Sequence, residues 1–271
     1  MVAVDVKEIG AKALHLAKSK PPALTTGMIV FLAFLYFGDT SGRWRDANVL
    51  NRDALLELEI GRISMYPLFH LSFLHLLVNL VSFIPLLGMY ESVHGTVRTG
   101  IVLNVTAVLA GIAYCIIMII LGSDTAVAGA SGWVFTWLAY FAWKQHEVNP
   151  KITLAGRIPM LTWATPLIPL VLSAIVFPSS SLLGHVLGLL VGYAYGMGYI
   201  NFLIEPSTNV VEWIESKITP VIAILSYIVT WVTEVEARQL RTQSVGNILP
   251  ISQPGSSIAA SNGPGHVLGS E

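Results

Sequence analysis

Ser131 stands between glycines in Gly129-Ala130-Ser131-Gly132, and His185 is followed by two more in His185-x2-Gly188-x3-Gly192. A serine hydroxyl becomes a nucleophile when a nearby base takes its proton, and neutral imidazole is the side chain suited to that near neutral pH. Each residue alone has a bland explanation: a serine in an apolar helix bonds its own backbone, and a histidine can be a satisfied packing residue. The glycines change this. Gly129 and Gly132 leave a helix start where backbone N–H groups are unsatisfied and a reacting carbonyl can come close, and a helix N-terminus favours developing negative charge. Gly188 and Gly192 form Gly-x-x-x-Gly, a surface that admits another helix to backbone contact. The glycine-rich start at Ser131 is its natural partner, and that contact would bring Ser131 to His185. A third cluster holds His70, His75 and Asn79. His75 and Asn79, four apart, share one helix face and can donate hydrogen bonds from the same side.

These residues need elements to hold them. Of 271 residues 54% are hydrophobic and 11% charged, with a mean hydropathy of +0.68, whereas a soluble domain carries about 25% charge. The composition is that of a membrane protein. A spanning helix needs roughly 20 mostly apolar residues, and six segments come close: 23–38, 66–89, 97–121, 126–143, 159–177 and 181–204. The chain therefore reads as a cytosolic N-terminal segment (1–22), a six-helix domain (23–204), a mixed region (205–242) and a tail (243–271) rich in Gly, Ser, Pro and Asn, a composition expected to be disordered. Within 205–242 the stretch 218–232 reads as an interfacial helix or an extra span, and Pro220 favours the former. Asp5, Glu8 and the lack of a long apolar core before Pro21-Pro22 argue against a cleaved signal peptide. Asn104-Val105-Thr106 fits a glycosylation sequon but falls inside the third span, so it is expected to be unused.

Basic residues orient the spans, because Lys and Arg are retained on the cytoplasmic side. With the N-terminus inside, eleven fall there (Lys7, Lys12, Lys18, Lys20, Arg98, Lys144, Lys151, Arg157, Lys217, Arg238, Arg241) and four outside (Arg43, Arg45, Arg52, Arg62). Both termini are then cytosolic. The second, fourth and sixth spans all enter from the opposite side, and each carries its unusual polar residues in its first turns, roughly 6 to 20 Å deep. Polar side chains at that depth are candidates for function. A formal net charge of −1 gives no basic field for nucleic acid. The single cysteine, Cys115, excludes an intrachain disulfide and a cysteine-based zinc site. On one helix His70 and His75 would be roughly 140° apart, which disfavours a shared metal, so no metal is expected.

Three motifs on three spans in this order, His70-x4-His75-x3-Asn79, Gly129-x-Ser131-Gly132 and His185-x2-Gly188-x3-Gly192, resemble the rhomboid intramembrane serine proteases over residues 66–204. The short chain, six spans and polar tail are most similar to the fungal Golgi branch of that family. The resemblance implies an all-α, six-transmembrane-helix rhomboid-like bundle with a cytosolic C-terminal tail, in a Golgi membrane, cleaving transmembrane segments of other proteins. It implies a dyad in which Ser131 attacks and His185 accepts its proton, with no third acid and no cofactor. Phe135 would stack beneath the imidazole, where the family often has tyrosine. The Ser131 N–H, Asn79 and His75 would stabilise the oxyanion, and His70 would support the first loop. Glu91 and Gly95 match a family feature after the second span, with Val93 where arginine is common; Trp44-Arg45 is similar to a first-loop pair but lies farther before His70 than in bacterial members. A second reading is a catalytically silent, derlin-like adaptor that binds membrane proteins and an AAA+ ATPase; such proteins lack the nucleophile and base, so Ser131 and His185 speak against it. The tail segment Gly263-Pro264-Gly265-His266-Val267-Leu268-Gly269 resembles the SHP box that docks on the valosin-containing AAA+ ATPase, with Ser261 where an aromatic is usual.

Overall fold

A computed structural model describes residues 20–154, 157–178 and 180–246. Lys7, Lys12, Lys18 and the motif at 263–269 lie outside the described residues. Helix α1 (Ala23–Gly38) is followed by a loop holding the short helices α2 (Arg43–Asn48), α3 (Asp53–Leu56) and α4 (Ile60–Met65) and a 3-10 turn at Tyr66–Leu68. Then come α5 (Phe73–His94), α6 (Thr96–Leu121) and α7 (Ser131–Val148). An antiparallel hairpin of β1 (Lys151–Leu154) and β2 (Ile158–Leu161) leads through a 3-10 turn to α8 (Leu167–Val176) and α9 (Leu182–Gly196). Four helices close the described chain: α10 (Asn201–Ile204), α11 (Thr208–Lys217), α12 (Thr219–Leu225) and α13 (Glu234–Gly246).

Local chemistry sets the ends of the main helices. The extended Ser72 caps α5 by accepting from the His75 N–H at 3.2 Å. Gly122, at φ +63°, closes α6 in the left-handed conformation. Ser181 caps α9 through the Gly184 N–H at 3.1 Å. Thr233 and Glu236 form a reciprocal capping box at the start of α13. Phe83, Tyr90, Trp137 and Tyr195 are fully buried between helices, while large apolar side chains such as Val30, Phe34, Val81, Ile120 and Ile175 face outward. That outward apolar surface suits lipid.

Among the described residues, α5 and α6 are each long and apolar enough to cross a membrane, and α9 with the following α10–α11 segment passes as one span bent by 104°. Segments Ala23–Gly38 and Thr162–Val176 are shorter apolar helices. Segments 23–38 and 97–121 fold essentially as the sequence suggests, and four boundaries differ. In 66–89 the chain leaves the 3-10 turn and is non-helical until Phe73, so His70 precedes the helix and the angular argument about His70 and His75 loses its basis. In 126–143 the helix begins only at Ser131, because Val127 is tied to Leu50 by two backbone hydrogen bonds of 2.8 Å. In 159–177 the first residues are strand, with Pro159 opposite Thr153, and α8 has ten residues, a length of about 15 Å. In 181–204 the helix stops at Gly196, and Gly198 turns the chain at φ +84°. The stretch 218–232 contains only the seven-residue α12, about 10 Å long.

Buried polar groups fasten one end of the bundle. The fully buried Glu91 carboxylate accepts from the N–H groups of Leu24 and Thr25 and the hydroxyls of Thr25 and Thr96, which satisfies the start of α1. Arg98 donates two hydrogen bonds to Glu234, at 2.9 and 2.7 Å, joining α6 to α13. The returning chain bonds the start of α1, with Ala23 N–H to Thr230 O at 2.9 Å and Thr230 N–H to Pro21 O at 2.8 Å. Both flanks of the bundle thus meet where α5 ends.

Candidate active site

The start of α7 is the floor of the site. Gly129 has φ +117°, and its N–H donates to Tyr66 O at 3.0 Å. A Cβ there would lie 2.5 Å from His75 Cε1 and 3.5 Å from Asn79 Nδ2, so both the backbone angle and the space require glycine. The Ala130 N–H donates to His70 Nε2 at 3.3 Å. The segment before α5 therefore holds the turn that ends at Ser131. As the first residue of α7, Ser131 presents its side chain where the opening N–H groups of the helix have no partner within the helix.

His185 sits in the first turn of α9, buried at 4% exposure, with Nε2 3.0 Å from Ser131 Oγ. Backbone contact between α7 and α9 sets that distance. A Cβ on Gly188 would come 2.5 Å from Gly132 O, and one on Gly192 would overlap Thr136 O. Gly196 continues the same spacing against Trp143, where a Cβ would lie 3.0 Å from Trp143 Cβ. Thr136 seals the crossing, its hydroxyl 2.9 Å from Gly132 O and 3.1 Å from Gly188 O. The Phe135 ring lies 4.5 Å from the imidazole, centroid to centroid, tilted by 34°.

Beside the pair is a cavity of about 160 Å³ whose lining includes Tyr66, His75, Tyr114, Ser131 and His185. Asn79 is buried, and its Nδ2 has no hydrogen-bond partner among the described residues. The His70 and His75 rings are 5.2 Å apart. Among the described residues no three His, Cys, Asp or Glu side chains are grouped to hold a metal. Chemically the arrangement offers a hydroxyl in hydrogen-bond reach of an imidazole, and near it a helix start and an amide donor. Ser131, His185, His75, Asn79, Gly129, Gly132, Phe135, Gly188 and Gly192 are brought together, with His70 behind the turn. Trp44 packs on Gly38 instead, and Arg45 pairs with Asp46.

Sequence reasoning missed three residues. Gly196 was within reach, since it extends the four-residue glycine spacing. Tyr66, which uses its carbonyl, leaves no signal in side-chain type. Ser173 of α8, whose Oγ lies 3.4 Å from His185 Nδ1, reads from sequence as one more hydroxyl in an apolar segment.

Comparison with known proteins shows the family. Residues 57–202 match the Rhomboid domain model, and the chain belongs to the rhomboid family. Its relatives narrow the class. It is 44% identical over 223 residues to Rhomboid-type serine protease 2 of Yarrowia lipolytica, covering 82% of this chain and 75% of that protein. It is 40% identical over 216 residues to the Saccharomyces cerevisiae protein of the same name, covering 78% and 80%. With that of Candida albicans the identity is 35% over 259 residues, covering 92% and 90%. These matches place the chain among the rhomboid-type serine proteases, integral membrane enzymes that hydrolyse peptide bonds.

Proposed function

We propose that the chain is an intramembrane endopeptidase that cleaves transmembrane segments with Ser131 as nucleophile and His185 as base. The observation that carries this is the 3.0 Å contact between Ser131 Oγ and His185 Nε2 at the start of a helix. His185 takes the hydroxyl proton as Ser131 attacks the scissile carbonyl, then returns it to the leaving amine. The oxyanion is stabilised by the Ser131 N–H, Asn79 and His75. Phe135 supports the imidazole, and His70 holds the turn. No metal or other cofactor takes part. The silent adaptor reading is not favoured, since both reactive residues are present and in contact.

The membrane assignment is six spans, α1, α5, α6, α7, α8 and α9, with both termini cytosolic, in the Golgi. Supporting it, the flanks of the bundle meet at the end where α5 finishes, while His75, Ser131 and His185 all lie at helix starts. Region 205–242 then lies at the cytosolic interface. A scissile segment must leave its helical state to reach a serine, although lipid favours backbone satisfied within a helix. Substrates are therefore single-span proteins with Gly, Pro or polar residues near the lumenal end, approaching past α8, which has no buried residue.

Ser131→Ala and His185→Ala should each abolish cleavage of a single-span reporter in liposomes, and the double mutant should be no worse, because residues acting as one unit are non-additive. Asn79→Ala should lose about 10²- to 10³-fold. A fluorophosphonate should label Ser131, and chelators should have no effect. Full activity in Ser131→Ala would sink the proposal. The tail is assigned a docking role toward the valosin-containing AAA+ ATPase through Gly263, Gly265, Leu268 and Gly269. Deleting 261–271 should abolish ATPase pull-down and spare proteolysis; equal pull-down without the tail refutes that role.

A further inference from the structure

His185 has two ring nitrogens, and the proposed dyad uses one. Nε2 faces Ser131; Nδ1 faces the Ser173 hydroxyl on α8, 3.4 Å away. That hydroxyl also lies 2.8 Å from the carbonyl oxygen of Leu170 on its own helix. A carbonyl can only accept, so the single hydroxyl proton of Ser173 goes to Leu170. Its oxygen lone pairs are left for Nδ1, which must then be the donor.

This decides where the imidazole carries its proton. A neutral ring has one N–H, and the hydrogen bond made by one nitrogen fixes the state of the other. With Nδ1 protonated toward Ser173, Nε2 is bare and can receive the Ser131 proton. In the opposite tautomer the same 3.0 Å contact would run from Nε2–H to Ser131 Oγ, and no base would face the nucleophile. Resting on the proposed dyad, we infer that Ser173 is a positioning residue that holds His185 in the tautomer with a free Nε2 and steadies the imidazolium formed during attack. The contact is long for a hydrogen bond, as catalytic contacts often are before substrate draws the site together. Its location adds a consequence. Ser173 belongs to α8, which buries no side chain, so the base is set only while α8 is seated against α9.

The test uses the full chain in liposomes, a single-span reporter and a small fluorophosphonate probe. In Ser173→Ala, kcat should fall about tenfold, the effect of one hydrogen bond of ordinary net strength, with KM within about twofold. The rate of Ser131 labelling should fall by the same factor, because the probe needs the base but not the path taken by a transmembrane substrate. Ser173→Thr keeps the hydroxyl and should restore both rates. Unchanged kcat in Ser173→Ala, a rise in KM alone, a fall in kcat with normal labelling, or a loss that threonine does not restore each overturns the inference. Failure of the dyad looks different: wild type would not label, or Ser131→Ala would stay active, and both proposals would fall together.

Discussion

Adding one methyl group at Gly188 tests whether helix contact sets the Ser131–His185 distance. The new Cβ would lie 2.5 Å from Gly132 O, below the 3.0 Å that real Cβ atoms respect and the 3.4 Å of ordinary contact. Helices α7 and α9 would have to part by about 0.5 to 0.9 Å, the differences between those limits and 2.5 Å. Ser131 is next to Gly132, and His185 is one turn before Gly188. If the shift is a rigid separation, the 3.0 Å bond between Oγ and Nε2 lengthens to roughly 3.5 to 3.9 Å, past useful hydrogen-bond length. General-base assistance contributes about 10²- to 10⁴-fold, so Gly188→Ala should lose at least about 10²-fold in kcat, with a stability cost of about 1–3 kcal/mol from overpacking. Gly27→Ala is the control, because nothing lies within 4 Å of a Cβ there and helical alanine is favoured over glycine. Reporter cleavage in liposomes and thermal melting of both variants give the answer. Full activity in Gly188→Ala would show that the helix contact does not hold the reacting groups, and the reasoning would be wrong.

Two further outcomes concern orientation and acid. A glycosylation sequon placed near Asn48 should be used in microsomes and one near Ser256 should not; the reverse pattern would overturn the cytosolic assignment of the termini. Burial pushes the Glu234 carboxyl up, but the Arg98 hydrogen bond and the charges of Arg98 and Arg241 outweigh it and hold it below the usual glutamate range. Its depressed value means that docking of α13 is fully supported above the ordinary glutamate pKa of about 4.3 and lost as pH falls through the lower folded value. Protection of α13 amides, measured against the intrinsic exchange rate at each pH, should therefore be high at neutral pH and fall in acid, while Glu234→Gln should show low protection already at pH 7. Equal protection in the two proteins at pH 7 would refute the role given to that pair.

The proposed reacting pair could be picked out because glycine marks close approach. Gly129, Gly188 and Gly192 each stand where a Cβ has no room, and Gly129 also where the backbone turns; Gly132 has room for a Cβ and takes part through its carbonyl oxygen, which Gly188 approaches. Helix limits were less legible, since hydropathy does not distinguish an apolar strand from an apolar helix. Pro159, Met160 and Leu161 merged with α8 into one apparent span, although a proline there fits an edge hairpin. Tyr66 to Phe69 likewise joined α5, which put His70 on a helix that begins three residues later. Ser173 and Tyr66 could not be recognised at all. Their parts depend on what lies across from them, and a serine in an apolar segment normally bonds its own helix, as Ser173 does with Leu170.

Buried charges and the buried amide of Asn79 differ in how they are met. At the end where α5 finishes, buried charges are met: Glu91 accepts four hydrogen bonds, and Arg98 and Glu234 satisfy each other. At the end where α5 begins, Asn79 keeps a buried N–H without a partner among the described residues. Leaving such a donor unmade costs about 1–3 kcal/mol, a loss that packing alone would remove by exchanging the amide for an apolar side chain of similar size. On the proposed mechanism the cost is offset only when negative charge develops on the scissile carbonyl oxygen, and interactions made in the transition state but not in the resting site are the ones that accelerate a reaction. The same logic accounts for the tightness around it: Gly129 admits the backbone turn beside Asn79 and His75 without filling the space where that oxygen must come to rest.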